Sequence, residues 1–203
     1  MKKFIMFLGA VFTTVSFAGG TIIQDSYEYV KPYKEKYFFN LAGGFTKFNI
    51  ESKLSNGSFN KGALDDKGYL LETGLGYSVN NKTFLEFNYQ YNKWDIAKIH
   101  NFYTSINYKF NSPLNLYTGF VLGYSKLKWS KRPYVVMLNE KLNSSSALFG
   151  IQIGSILKIN KNIEANIKYQ LLKSDHVMDI KNNTNSIKHN LQNNLVTGVR
   201  YAF

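Results

Sequence analysis

No cysteine occurs among the 203 residues, which excludes disulfides, thiolate nucleophiles and thiolate metal sites together. Proline is held to three positions, so there is no proline-rich linker or polyproline recognition segment. Histidine is as scarce: His100, His176 and His189 are the only imidazoles that catalysis or a metal could use. Charged side chains are 19% of the chain, fewer than the surface of a soluble domain this size carries. Acidic residues are the rarer sign, 13 against 25 basic, leaving a net charge of +12. A basic excess suits nucleic acid, anionic lipid or sulfated polymers. Nucleic acid is set aside, because the sequence has no phosphate-cradling glycine loop, recognition helix or RNA-binding aromatic motif. Long apolar runs are missing too. The longest, Phe4 to Val15, falls short of the ~20 residues a helix needs to cross a bilayer.

That run has another reading. Lys2 and Lys3 precede it, and Ser16-Phe17-Ala18 follows with small residues at the minus-three and minus-one positions. This is the layout of a secretory signal peptide, residues 1–18, with cleavage expected after Ala18. No cysteine follows to carry a lipid anchor. Residues 19–36 are polar with scattered aromatics and are expected to form an N-terminal periplasmic lead. Residues 37–203 are expected to form the folded domain.

What the chain does have is aromatic residues, 15 Tyr and 16 Phe, in a persistent period of two. Eight segments show it: 37–50, 67–78, 83–94, 99–110, 114–126, 147–159, 163–172 and 187–203. In 83–94, Leu85, Phe87, Tyr89 and Tyr91 alternate with Glu86, Asn88, Gln90 and Asn92. In 163–172, Ile163, Ala165, Ile167, Tyr169 and Leu171 alternate with Glu164, Asn166, Lys168 and Gln170. Short connections rich in Asn, at 79–82, 111–113 and 160–162, have turn chemistry. Longer polar connections at 51–66, 127–146 and 173–186 alternate with them, and 95–98 is short. An all-β fold follows: an eight-stranded antiparallel barrel with tight turns at one end and mostly long loops at the other.

Alternation alone does not say which face is wet. A soluble barrel would show Lys, Glu and Thr on its polar face. Here that face is Gly, Asn, Gln and Ser with few charges, suited to a narrow interior. The apolar face carries Phe, Tyr, Leu and Ile almost without charge, as hydrocarbon requires. The barrel is therefore expected to be transmembrane. Tyr77, Tyr108, Phe110, Tyr201 and Phe203 suit an aromatic girdle at the turn end, and Tyr91, Phe102 and Trp129 one at the loop end.

The final stretch, Asn194-Leu195-Val196-Thr197-Gly198-Val199-Arg200-Tyr201-Ala202-Phe203, resembles the C-terminal signature of outer-membrane barrels. Residues 116–125, LYTGFVLGYS, and 167–170, IKYQ, are similar to the fifth- and seventh-strand regions of the OmpA-like superfamily of small, opacity-type, eight-stranded barrels. The resemblance implies a bacterial outer membrane, short periplasmic turns, extracellular loops and a terminal assembly signal at Tyr201 and Phe203 read by the barrel assembly machinery. Outer-membrane lipid and lipopolysaccharide are the implied surroundings.

Two groups of residues are candidates for function. Glu72, Glu86, Lys109, Lys158, Glu164, Lys168 and Arg200 are expected to point inward as an ion-pair network, with Glu86–Lys109, Lys158–Glu164 and Glu164–Arg200 within cross-strand reach. In the third loop, Lys126, Lys128, Lys131 and Arg132 surround Trp129. Bases interleaved with an aromatic suit lipopolysaccharide phosphates or host and envelope glycans. A structural and surface-contact role is therefore expected, with adhesion through that loop. A narrow pore is the alternative, and a lipid A-modifying enzyme a more distant one. Enzymatic activity is not expected, nor a cofactor. Ser174-Asp175-His176 and Asp179 read as solvated loop residues rather than a catalytic or metal group.

Overall fold

The computed structural model describes residues 36–53, 59–61, 67–94, 97–129, 143–180 and 185–203. The expected signal peptide, and all but the last residue of the expected lead, lie outside them. The strands are β1 Lys36–Lys53, β2 Phe59–Lys61, β3 Lys67–Ser78, β4 Thr83–Trp94, β5 Ala97–Lys109, β6 Leu116–Trp129, β7 Asn143–Lys158, β8 Ile163–Ile180 and β9 Asn185–Ala202. Each long strand pairs antiparallel with its chain neighbour, and β9 returns to pair with β1 from Phe38↔Ala202 to Lys53↔Ser186. Eight long strands thus close a barrel, and β2 is a short return against the end of β1. Among the described residues there is no helix.

Closure removes the sheet edges, so backbone N–H and C=O groups along the wall find partners in the wall itself. The wall is inverted relative to a soluble protein. Phe45 and Phe120 are 74% exposed and Leu122 62%, while the polar Gln90, Asn101 and Gln170 are fully buried. An exposed row of this composition is stable against lipid tails and costly against water.

The turns explain why Asn marks one end of the barrel. The Asn80 side-chain oxygen accepts from the backbone N–H of Lys82 and Thr83, at 2.8 and 2.7 Å. Asn160 repeats the arrangement with Asn162 and Ile163, at 2.9 and 2.8 Å. Such Asx turns satisfy donors that the hairpin leaves over. In the β5–β6 turn, Asn115 takes φ 45°, a left-handed conformation that Asn tolerates.

At the other end the strands run further than the sequence pattern indicated. The segment 173–186, read as a loop, belongs mostly to β8, which continues to Ile180, and to β9, which resumes at Asn185. Beyond the apolar belt the outward residues become polar, as at Lys173 and Asp175. Hydropathy then stops alternating, although the ladder continues past an irregularity between Lys173 and His176. Residues 130–142, most of the expected loop at 127–146, lie outside the described residues.

Two neighbouring glycines at the closing seam offer a stability test. A Cβ on Gly44 would stand 2.0 Å from the Leu195 carbonyl oxygen, whereas one on Gly43 would meet Leu70 and Leu71 atoms at ordinary contact, 3.6 and 3.7 Å. Gly44→Ala should cost about 1–3 kcal/mol, and Gly43→Ala about 0.5 kcal/mol or less. Urea midpoints of the barrel refolded in detergent would measure both.

Candidate functional site

The lumen is filled by side chains rather than left open. At mid-height the Glu72 carboxylate, on β3, meets the Lys168 ammonium, on β8, at 2.5 Å, with neither side chain exposed. The two strands are not sheet neighbours, so the pair spans the interior. Asn40, Gln90 and the Tyr103 hydroxyl also donate to Glu72, at 3.1, 3.0 and 2.6 Å. Four donors on one carboxylate offset the loss of its hydration. Neutral groups extend the network. Gln170 donates to Gln152 and to Tyr103, both at 2.9 Å, Gln152 donates to Asn107 at 2.6 Å, and Asn101 donates to Gln192 at 3.0 Å.

Each end of this column is packed with rings. Toward the turns, Phe38, Phe84, Tyr117, Ile156 and Ala202 form one buried cluster. The Arg200 guanidinium lies 3.7 Å from the Phe38 ring centre and 4.7 Å from that of Phe84, and its Nη1 is 3.6 Å from Glu164. Toward the loops, Phe48 stacks on Trp94 at 3.7 Å between ring centres and sits 4.8 Å from His189. Ile99, Leu127 and Trp129 are buried at the same end.

The sequence-derived candidates are sorted by this geometry. Glu72 and Lys168 come together, as do Glu164 and Arg200, which face each other across β8 and β9. Glu86 is buried, but the register sets Ser105 opposite it, and that hydroxyl donates at 3.3 Å. Lys109 Nζ lies 5.1 Å from the Phe84 ring centre. Lys158 corrects the expectation: it faces Glu164 in register yet is exposed, because it closes β7 one step from the turn, beyond the ring cluster that caps the lumen. Lys126 and Lys128 are exposed on the outer wall of β6. Trp129 is a second correction. It is 2% exposed and points inward with Ser125 and Leu127, so it is neither a surface ligand nor a girdle residue. Lys131 and Arg132 lie outside the described residues. Tyr201 and Phe203 are exposed and stack at 6.5 Å, with Phe203 beside Tyr37 at 6.3 Å. The Phe203 amide donates to the Tyr37 carbonyl at 2.9 Å.

His176 is a third correction, since it is no solvated loop residue. It sits buried in β8, with Nε2 2.9 Å from the Ser125 hydroxyl and Nδ1 3.2 Å from that of Ser144. Its neighbour Asp175 points outward and pairs with Lys188 at 3.7 Å. The imidazole is thus held between two hydroxyls, with no carboxylate to orient it as a general base. Among the described residues no group of three acidic, His or Cys side chains is placed to hold a metal.

No family model matches the sequence, and no curated protein matches it. Solved structures do. Neisserial surface protein A aligns with a TM-score of 0.56 at 17% identity, over 84% of this chain and 99% of that one. The fold is that of a small outer-membrane barrel. Ail, the attachment invasion locus protein of Yersinia pestis, in complex with the heparin analogue sucrose octasulfate, aligns at TM-score 0.45 and 14% identity, over 81% and 99% of the two chains. The outer membrane protein AlkL in DMPC bilayers aligns at 0.46 and 11%, over 91% and 96%. At these identities the likeness is one of architecture.

The Glu72–Lys168 pair should behave as a unit. Glu72→Leu leaves a buried ammonium without its partner and should cost about 3–5 kcal/mol, while Glu72→Leu combined with Lys168→Met should recover most of that loss. A double-mutant cycle on urea midpoints would measure the coupling.

Proposed function

We propose that this protein is an outer-membrane barrel with a structural and surface-contact role, neither conducting nor catalytic. The filled and doubly capped lumen carries this reading. An eight-stranded wall encloses room for side chains but not a wide channel, and here the interior is taken up by the Glu72 network between two ring clusters. At mid-height Glu72, Gln90, Tyr103, Gln152, Lys168 and Gln170 bond to one another across the interior, which favours an ion-pair plug over a pore. The enzyme alternative has least support: Ser125 and His176 are hydrogen-bonded but buried, and the third partner is Ser144. Tyr201, stacked on Phe203, and Phe203, beside Tyr37 at the closing seam, suit a terminal segment read by the assembly machinery.

The surface role falls to the loop end. Lys126 and Lys128 leave the wall sideways, level with the end of the apolar belt, rather than along the barrel axis. That direction favours lipopolysaccharide phosphates in the surrounding leaflet over host glycans above it.

Planar-bilayer recordings of the refolded protein should show no stable unitary conductance. Large stable steps in the native protein would overturn the sealed-barrel reading. Phe38→Ala with Phe84→Ala should remove part of the turn-end cap and raise leak relative to native.

A further inference from the structure

The outer wall of β4, β5 and β6 carries a pattern that the sealed lumen does not explain. Cross-strand register sets Lys93 opposite Lys98 and Lys98 opposite Lys128. Three lysines on adjacent strands therefore share one level, all on the outer face. Directly opposed like charges destabilise a sheet. The next outward row toward the turns is Tyr91, His100 and Lys126, and the one after it Tyr89, Phe102 and Tyr124. Flanking residues at the lysine level are neutral, Tyr69 opposite Lys93 and Asn143 opposite Lys128. The carboxylates of β3 and β4, Glu72 and Glu86, are buried in the lumen. Among the described residues no carboxylate pairs with Lys93, Lys98, Lys126 or Lys128.

Below the cations lies a groove of about 450 Å³ on the same face, walled by Phe87, Tyr89, Phe102, Thr104, Leu122 and Tyr124. Register explains it: Thr104 stands between Phe87 and Leu122 in one row. A small side chain between two large ones leaves a notch on an otherwise apolar wall. At ~3.4 Å per residue along a strand, the top aromatic row of the groove is about 7 Å below Lys126 and about 14 Å below the lysine row. That is the separation between an acyl chain and its own head group.

We propose that this face is a binding site for one phosphorylated, multiply acylated glycolipid of the outer leaflet. Its phosphates sit among Lys93, Lys98, Lys126 and Lys128, and one acyl chain lies in the groove over Thr104. The site rests on the outer-membrane reading above, with the loop end in the outer leaflet, but not on the lumen being sealed. The ligand neutralises the lysine row, and the groove adds what charge alone lacks, a preference for a lipid over a free anion.

The test uses the full barrel refolded in detergent and native mass spectrometry, with bis-phosphorylated lipid A, its dephosphorylated form and phosphatidylglycerol as probes. The native barrel should retain the phosphorylated glycolipid well above the other two. Lys98→Gln/Lys126→Gln/Lys128→Gln should weaken retention on the order of a hundredfold, at the usual contribution per lysine near an anionic surface. Lys173→Gln, exposed on β8, should leave it unchanged. Thr104→Trp fills the notch and should weaken retention with the lysines intact, and Thr104→Ile is the milder version should the first not refold. A heat-dependent shift in gel mobility confirms that each variant forms a barrel. Native-like retention by the triple-lysine variant overturns the proposal, as does equal retention of dephosphorylated lipid. Retention unaffected by either Thr104 variant overturns the groove, and phosphatidylglycerol held as tightly as lipid A overturns the glycolipid assignment. None of these outcomes touches conductance, so the sealed-barrel reading stands or falls separately.

Discussion

A chain that crosses hydrocarbon must pair its backbone polar groups within itself, since no water is there to take them. For strands that demand is met only by a closed ring, and closure here is the pairing of β1 with β9. The other features follow from it. A ring of eight strands fixes a narrow interior, a narrow interior admits side chains but little solvent, and those side chains must satisfy one another. The period of two then divides the sequence into a row that meets lipid and a row that meets the opposite wall. Polar residues are buried and apolar ones exposed for the same reason that soluble domains do the reverse.

The interior shows how such a division is stabilised. A lone Lys168 ammonium in this space would be costly. Set against Glu72, and with Tyr103, Gln90 and Asn40 on the same carboxylate, it becomes a brace between walls three strands apart around the ring. The Asn and Gln side chains above and below are neutral and can both donate and accept, which suits a crowded column where each group has several neighbours. Rings pack at both ends of that column, and hydrogen bonds among side chains so buried gain strength from the low local polarity.

Much of this architecture was legible in the sequence because it depends on local repetition. The faces of 83–94 and 163–172 follow from alternation alone, and the Asn-rich turns follow from Asx chemistry. Three things were not legible, each for a physical reason. Strand length was understated at 173–186 because, past the lipid belt, Lys173 and Asp175 face out while Ser174 and His176 face in, so all four read as polar. The type of Trp129 suggests a girdle residue, but the parity set by Ser125 and Leu127 turns it inward. The Glu72–Lys168 pair joins strands that are not sheet neighbours, so cross-strand pairing along the sequence does not reveal it. Contacts across the lumen depend on barrel radius, which no single segment encodes. Glu164 and Arg200 are sheet neighbours at the same level, and alternation along adjacent strands does encode such a pair.

The Phe203 amide bonds to the Tyr37 carbonyl, and the Ala202 position faces Phe38, so the last strand described completes the first. No portion of the wall is self-sufficient before β9 arrives. Until then β1 offers a bare edge long enough to nucleate pairing with any extended chain nearby, and the ladder that finally covers it is the one of greatest sequence separation, hence slowest to find. The β1–β9 ladder is thus the single contact that removes the last bare edge of the wall.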